Sequence, residues 1–170
     1  MTGDTTVLIV PGLRDHVPEH WQTLLAARLP RVRTVPPLEQ DRLSRAVRVD
    51  ALDRALSAIS CPVILVAHSA GVMMVAHWAR LHGPARPIKG ALLATPADVE
   101  SPFPVGYPTT EQLEEHGWLP IPRGPLPFPS VVAASRNDPL CAFTRAQALA
   151  QDWGSGLVDL GEVGHLNPAA

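Results

Sequence analysis

Short apolar runs alternate along the chain with longer stretches whose apolar positions recur at helical spacing. Most of the short runs are continuously apolar, which is typical of parallel strands buried on both faces, whereas the run at 31–35 is only a weak strand pattern. They predict strands at residues 7–10, 31–35, 62–67, 88–94, 130–134 and 157–160. The longer stretches predict helices at 18–29, 44–59, 71–82 and 143–153. This alternation predicts an α/β fold, a three-layer α/β/α sandwich around a mostly parallel sheet of about six strands.

The first two predicted helices carry start signals and an apolar face. Pro18 fits the first turn of the first helix, and Ser44 is placed to cap the second. Spacing puts four apolar side chains of the first helix on one face, which we expect to pack on the sheet: Trp21, Leu24, Leu25 and Leu29.

The stretch 96–129 breaks this pattern because it contains nine prolines. Proline lacks a backbone N–H, so no long helix or strand is expected there. Thr109 and Gln112 have the spacing of a capping box for one short helix at 110–116. We interpret 96–129 as a covering loop within a single α/β domain that spans residues 1–170.

Composition narrows the class of protein further. The 170 residues carry a formal net charge of -2, and 46% of them are hydrophobic, as in globular domains. The lack of a basic cluster argues against a nucleic-acid partner. No apolar run is long enough for a membrane span, and no signal-peptide pattern opens the sequence. With only two cysteines as well, we expect a cytoplasmic location.

The candidate nucleophile lies between a predicted strand and a predicted helix, in Ala67-His68-Ser69-Ala70-Gly71. This matches the nucleophile elbow G-x-S-x-G, with alanine at the first small position. Small residues on either side let strand and helix approach, and a serine in such a turn exposes its hydroxyl. The alternative is that Ser69 only caps the following helix.

A carboxylate and an imidazole follow later strands. Asp138 comes soon after the strand at 130–134, and His165 soon after the strand at 157–160. Open α/β sheets place their sites beyond the carboxyl ends of strands, and the order Ser, Asp, His is that of α/β-hydrolases. Taken singly, Asp138 before Pro139 fits a turn, and His165 fits a surface loop.

The chain resembles the small serine hydrolases of the retinoblastoma-binding-protein type, also called YdeN-like. The resemblance rests on residues 7–13, 19–21, 67–69, 91–93, 137–139 and 164–167. It implies a compact α/β-hydrolase fold with a catalytic triad of Ser69, Asp138 and His165. Members of this type continue beyond the histidine motif, whereas this sequence stops at Ala170, so we expect either a truncated form or a His165 loop without the segment that braces it in those members.

These residues predict a serine hydrolase, carboxylesterase-like, that cleaves an ester, or less readily an amide, through an acyl-serine. The backbone N–H groups of Ala70 and Leu13 are the expected oxyanion hole. The side chains expected to contact a small ester or acyl substrate are His20, His68 and Trp118. The alternative is a protein-interaction module on a hydrolase scaffold, so a protein partner stays open.

No cofactor or metal is expected. The chain has no glycine-rich phosphate loop of the nucleotide-binding kinds. His16 to His20 matches H-x-x-E-H, but Pro18 between the histidines fits only the first turn of a helix. The two imidazoles therefore cannot share a helix face as zinc ligands.

Overall fold

The computed structural model describes residues 4–83 and 86–168. Six strands form one sheet: β1 (Thr6–Val10), β2 (Val32–Thr34), β3 (Val63–Ser69), β4 (Gly90–Pro96), β5 (Ser130–Ala134) and β6 (Gly156–Asp159). Five helices connect them: α1 (Trp21–Ala26), α2 (Arg45–Ser57), α3 (Ala70–His82), α4 (Thr110–Glu115) and α5 (Phe143–Trp153).

The sheet has the order β2-β1-β3-β4-β5-β6, and every neighbouring pair is parallel. The predicted α/β/α sandwich is confirmed, with a sheet that is parallel throughout. All carboxyl ends therefore meet at one edge of the sheet. That edge receives the segments after β1, β3, β4, β5 and β6, and so it is where separate parts of the chain can combine into a site.

The core explains why the apolar runs form the central strands. β3 is buried at most positions, and α3 is buried at every residue from Ala70 to Ala79. α3 packs against β1, β3 and β4 on one side and α2 on another, which is why it is apolar nearly all round. One hydrophobic cluster runs from Leu8 in β1 to Trp153 in α5.

The predicted start signals have mixed outcomes. The Ser44 side chain accepts a hydrogen bond from the Val47 N–H, as predicted for a helix cap. The first helix instead begins at Trp21, capped by His20, and its predicted face is wrong. Leu24 is exposed, whereas Gln22 is the buried residue of α1.

The proline-rich stretch contains one short helix, α4, and the predicted capping box between Thr109 and Gln112 caps its N-terminus. Beyond it, Trp118, Ile121 and Phe128 are buried and belong to the hydrophobic cluster. This stretch therefore contributes to the core as well as covering the sheet edge. No helix in the described residues has the length and apolar character needed to cross a bilayer.

Candidate active site

Ser69 lies in a strained turn between β3 and α3. Its backbone has φ 59° and ψ −122°, and the pairing of β3 with β4 shifts register between His68 and Ser69. A positive φ costs free energy for a residue with a side chain, so it persists only where the surroundings impose it. The Ser69 hydroxyl makes no capping bond to α3, so the alternative that Ser69 is only a helix cap is wrong.

Close packing against β1 produces this turn. A Cβ atom added at Gly71 would overlap the carbonyl oxygen of Val10, and one at Gly12 would lie 3.3 Å from the Ser69 Cβ. The glycine at the end of the elbow therefore lets α3 start directly against the end of β1. The same proximity brings the loop after β1 beside the serine.

The Ser69 hydroxyl is hydrogen-bonded to His165, whose Nε2 lies 2.7 Å from the Ser69 Oγ. On the other side of the ring, His165 Nδ1 lies 2.9 Å from both carboxylate oxygens of Asp138. The side chains of His165 and Asp138 are 5% and 2% exposed. The structure thus joins the three predicted side chains by consecutive hydrogen bonds, and the Asp138 carboxylate is shielded from water.

The carboxylate end of this chain is fixed by the turn after β5. Asp138 Oδ1 also accepts the backbone N–H of Leu140 at 2.8 Å. The neighbouring Asn137 accepts the N–H of Gly164 at 2.7 Å, and the Ser135 hydroxyl accepts the N–H of Val163. The turn after β5 therefore holds the loop that carries His165 as well as the carboxylate that contacts its ring.

His68 holds the main chain of His165. Its Nε2 lies 2.7 Å from the His165 carbonyl oxygen, which also accepts the Thr95 hydroxyl at 3.4 Å. A carbonyl only accepts, so His68 carries its proton on Nε2. Burial, and then the nearby charges of His165 and His20, lower the pKa of His68 to about 3, so its ring stays neutral.

The candidate oxyanion donors lie on the two segments that meet at the elbow. Ala70 is the first residue of α3, and Leu13 follows Gly12 after β1. The Gly12 carbonyl accepts the Asp15 N–H at 3.0 Å, which fixes the plane of the Gly12–Leu13 peptide. In a trans peptide the N–H points opposite to the carbonyl, so the Leu13 N–H faces away from this turn.

A buried ion pair braces the same loop. Arg48 of α2 contacts the Asp15 carboxylate at 2.6 Å, and its second nitrogen donates to the Leu13 carbonyl at 3.1 Å. The two side chains are 3% and 7% exposed. Arg42, which is exposed to solvent, also contacts the Asp15 carboxylate at 3.1 Å. The loop that carries Leu13 is therefore held from helix α2.

A cavity of about 520 Å³ opens at Ser69. His20, His68 and Trp118, the predicted substrate contacts, all line it, as do Leu13 and Ala70. His20 also caps α1 by accepting the Gln22 N–H, and the Trp118 indole donates to the Leu43 carbonyl at 2.7 Å. Six further wall residues with apolar or aromatic side chains come from the stretch after β4: Ala97, Val99, Phe103, Tyr107, Pro108 and Leu113.

Other candidate chemistry is not assembled here. Burial raises the pKa of the Cys141 thiol to about 12, with the charges of Asp98 and Asp138 adding to the effect, so it is not a thiolate nucleophile at neutral pH. Within residues 4–83 and 86–168, no group of three or more His, Cys, Asp or Glu side chains is placed to hold a metal ion.

Comparison with known proteins identifies the family. The profile of the serine hydrolase family matches residues 7–170. The chain belongs to the serine hydrolase family. This hydrolase is 35% identical to a protein of Pectobacterium atrosepticum described as a YdeN-like hydrolase, with a TM-score of 0.81 over 98% of this chain and 82% of that one. No curated protein sequence matched it.

More distant structures share the fold of this serine hydrolase. The ydeN gene product of B. subtilis is 19% identical, with a TM-score of 0.72 over 95% of this chain and 88% of that one. Est1E of Butyrivibrio proteoclasticus, with ferulic acid bound, is 12% identical, with the same TM-score over 95% of this chain and 81% of that one. The predicted resemblance to YdeN-like hydrolases is thus confirmed.

Several residues that shape the site of this hydrolase were not predicted. Asn137 adjoins a predicted site residue, and its available signals were its place in the turn after β5 and in the family motif at 137–139. Asp15 and Arg48 are far apart in sequence, and charged residues at such positions ordinarily indicate a solvated surface. Only the tertiary structure brings these side chains to the loop that carries Leu13.

Proposed function

We propose that this serine hydrolase cleaves carboxylic esters through an acyl-serine intermediate, with Ser69, His165 and Asp138 as its catalytic triad. The observation that carries the proposal is the unbroken hydrogen-bond chain from the Ser69 Oγ through both ring nitrogens of His165 to the buried Asp138 carboxylate. A serine hydroxyl needs such a base to become nucleophilic at neutral pH.

In the first half of the reaction, the Ser69 Oγ attacks the ester carbonyl carbon and its proton passes to His165 Nε2. Asp138 holds the ring with its other nitrogen protonated and stabilises the imidazolium that forms. The N–H groups of Ala70 and Leu13 bind the oxyanion, each contributing about 3–4 kcal/mol to the transition state. The tetrahedral intermediate then collapses, and the alcohol leaves with the proton from His165.

In the second half, water replaces the alcohol. The water oxygen attacks the acyl carbon while His165 takes a proton from the water. The acid then leaves as His165 returns that proton to Ser69. Esters suit this site better than amides because an alkoxide leaves more readily than an amine anion. The cavity beside Ser69 fits a small ester or acyl substrate.

The test is hydrolysis of short p-nitrophenyl esters by the unmodified protein and by Ser69→Ala, Asp138→Asn and Ser60→Ala variants. We expect Ser69→Ala to abolish turnover and Asp138→Asn to lower it by roughly a hundredfold to ten-thousandfold, because the wrong ring tautomer is then favoured. Ser60 is exposed and precedes β3, whereas Ser69 lies at the other end of that strand, so Ser60→Ala should match the unmodified protein.

Labelling with a fluorophosphonate gives a second readout. We expect an adduct on Ser69 in the unmodified protein and in Ser60→Ala, and none in Ser69→Ala. Folded protein that is never labelled at Ser69, and equal ester hydrolysis with and without its hydroxyl, would overturn the proposal. That result would favour an interaction module on a hydrolase scaffold.

A further inference from the structure

The cavity at Ser69 is divided by charge. Its wall from the stretch after β4 is uncharged and includes Val99, Phe103 and Leu113. That stretch also contains acidic residues, but its buried acidic groups face elsewhere. Arg145 binds the Asp98 carboxylate at 2.8 Å, and Arg123 binds Glu100 at 2.6 Å. This part of the cavity wall is therefore free of charge.

A second part of the wall, from the loop after β1 and the segment before α2, is cationic. Three side chains that line the cavity carry full charge, and these are Arg14, Arg42 and Asp15. The Asp15 carboxylate is bound by the buried Arg48 as well as by Arg42, so positive charge exceeds negative charge in this cluster.

Arg14 is the free cation of this wall. It is exposed, and no ion pair within the described ranges involves it. Its positive charge also acts on His20 in the cavity wall, because the pKa of His20 is lowered first by burial and then by Arg14. Arg42 stands beside it with its side chain 54% exposed.

The two walls differ in depth as well as charge. Trp118 and Leu113 are almost fully buried, whereas Arg14 and Arg42 are exposed to solvent. In an acyl-serine reaction the acyl group stays on the serine while the leaving half departs toward solvent. The buried apolar wall therefore suits the acyl group, and the exposed arginines lie where the leaving half departs.

We propose that the substrate of this hydrolase joins an uncharged acyl group, held against Val99, Leu113 and Trp118, to a negatively charged leaving half, held by Arg14 and Arg42. This assignment rests on the proposed ester hydrolysis and specifies its substrate class. The shared chemistry of the leaving half is its negative charge, from either a carboxylate or a phosphate.

The experiment compares two esters that differ in charge alone. para-(Hexanoyloxy)benzoate and para-(hexanoyloxy)benzamide share an acyl group and release phenols of similar acidity. At low ionic strength we expect kcat/KM to favour the anionic ester by roughly twofold to fivefold, the range for a partly exposed ion pair. Added salt should reduce this preference.

Two arginine variants test whether Arg14 causes the preference for the anionic ester. Arg14→Gln should bring the ratio between the two esters toward one by raising KM for the benzoate. The matched control is Arg54→Gln on α2, whose side chain is 80% exposed, and it should keep the ratio of the unmodified protein. Hexanoyl-phosphopantetheine beside hexanoyl-pantetheine, which differ only in the phosphate, tests phosphate in the same way, so the larger charge preference of the two pairs identifies the anion.

Two results would overturn the assignment: equal kcat/KM for the charged and neutral partners of both pairs, or an unchanged ratio in Arg14→Gln. If both esters and both thioesters are hydrolysed in a Ser69-dependent reaction without preference in either pair, ester hydrolysis stands and only the anionic substrate class fails. If neither ester nor thioester is hydrolysed in a Ser69-dependent reaction, both proposals fail.

Discussion

His165 is held at both its ring and its main chain. The ring contacts Ser69 and Asp138, while the carbonyl accepts from His68 at 2.7 Å and from Thr95. A ring that must accept a proton from Ser69 and later return it needs a fixed distance to the hydroxyl, because small displacements of a catalytic group cost large factors in rate. His68 therefore acts as a positioning residue, through the backbone of His165.

The neutral ring of His68 makes a matched pair of variants informative. His68→Phe removes the N–H donor, whereas His68→Gln retains a donor near the position of Nε2. We expect His68→Phe to lower kcat about tenfold or more with a smaller change in KM, and His68→Gln to recover most of kcat. Fluorophosphonate labelling of Ser69 should slow in parallel in His68→Phe.

The control for His68 is His16→Gln, which changes an exposed histidine and should leave kcat unchanged. Equal kcat in His68→Phe and the unmodified protein, with only a loss of thermal stability, would show that His68 serves packing alone.

The three members of the proposed triad were predictable because each follows a clearly patterned strand. Strand ends of a parallel sheet meet at one edge whatever the connections between them. The residues that position them were not predictable in the same way. The bond from His68 to His165 joins a side chain to a backbone atom, and sequence carries little information about backbone acceptors.

At the scale of elements, helix α2 controls the loop after β1. Arg48 projects from the first turns of α2 and binds both the Asp15 carboxylate and the Leu13 carbonyl. Asp15 itself has a positive φ of 57°, so the loop is held in a conformation that its own residues do not favour. The position of the Leu13 N–H thus depends on a contact between two separate elements.

Removing Arg48 should affect both stability and catalysis. Arg48→Leu leaves the Asp15 carboxylate buried and without its main partner, which costs roughly 3–5 kcal/mol in the free energy of unfolding. In the double variant Asp15→Asn/Arg48→Leu, much of that stability should return because no unpaired charge remains. We expect kcat to stay low in both, since neither holds the Leu13 loop. Urea unfolding and ester turnover measure the two effects.

The matched control is Arg54→Gln on the same helix, which should change neither quantity beyond a few tenths of a kcal/mol. Full recovery of kcat in the double variant would contradict a role for the ion pair in holding the loop.

Helix α1 shows where pattern reasoning fails at this scale. Its apolar residues predicted the buried face, yet Gln22 is buried and Leu24 is exposed. The reason is that Gln22 donates to the carbonyls of Val10 and Val66, at 3.2 and 3.0 Å. These backbone acceptors lie at the end of β1 and in the middle of β3, and a buried carbonyl needs a donor. The requirement comes from sheet topology, which the helix sequence does not encode.

At the scale of the whole molecule, the proline-rich stretch is fixed in place by contacts with distant elements. Arg145 of α5 binds Asp98 and Glu100, and Arg45 of α2 donates to the Gly117 carbonyl. The pattern of prolines predicted the absence of long elements there. It could not predict the course of the chain, because these contacts join residues up to 72 positions apart.

Two buried neutral histidines, His68 and His77, make the free energy of unfolding depend on pH. Burial lowers the pKa of His68 to about 3 and that of His77 to about 4. His77 lies in α3, and its Nε2 is 3.3 Å from the Trp118 carbonyl, so it connects α3 to the proline-rich stretch. In the unfolded chain both rings titrate near pH 6.5. Between these values, the unfolded state binds protons that the folded state does not.

The folded state should therefore lose stability as the pH falls below about 6.5, with no loss from these two groups above it. At about pH 5 we expect each ring to cost roughly 1–2 kcal/mol in the free energy of unfolding. Urea unfolding at about pH 7.5 and about pH 5 measures this loss. His77→Gln retains an N–H donor without a titrating ring, so its loss should be smaller by roughly the 1–2 kcal/mol of one ring, whereas His16→Gln, at an exposed site, should lose as much as the unmodified protein. The same loss in all three proteins would mean that His77 does not contribute to the acid sensitivity.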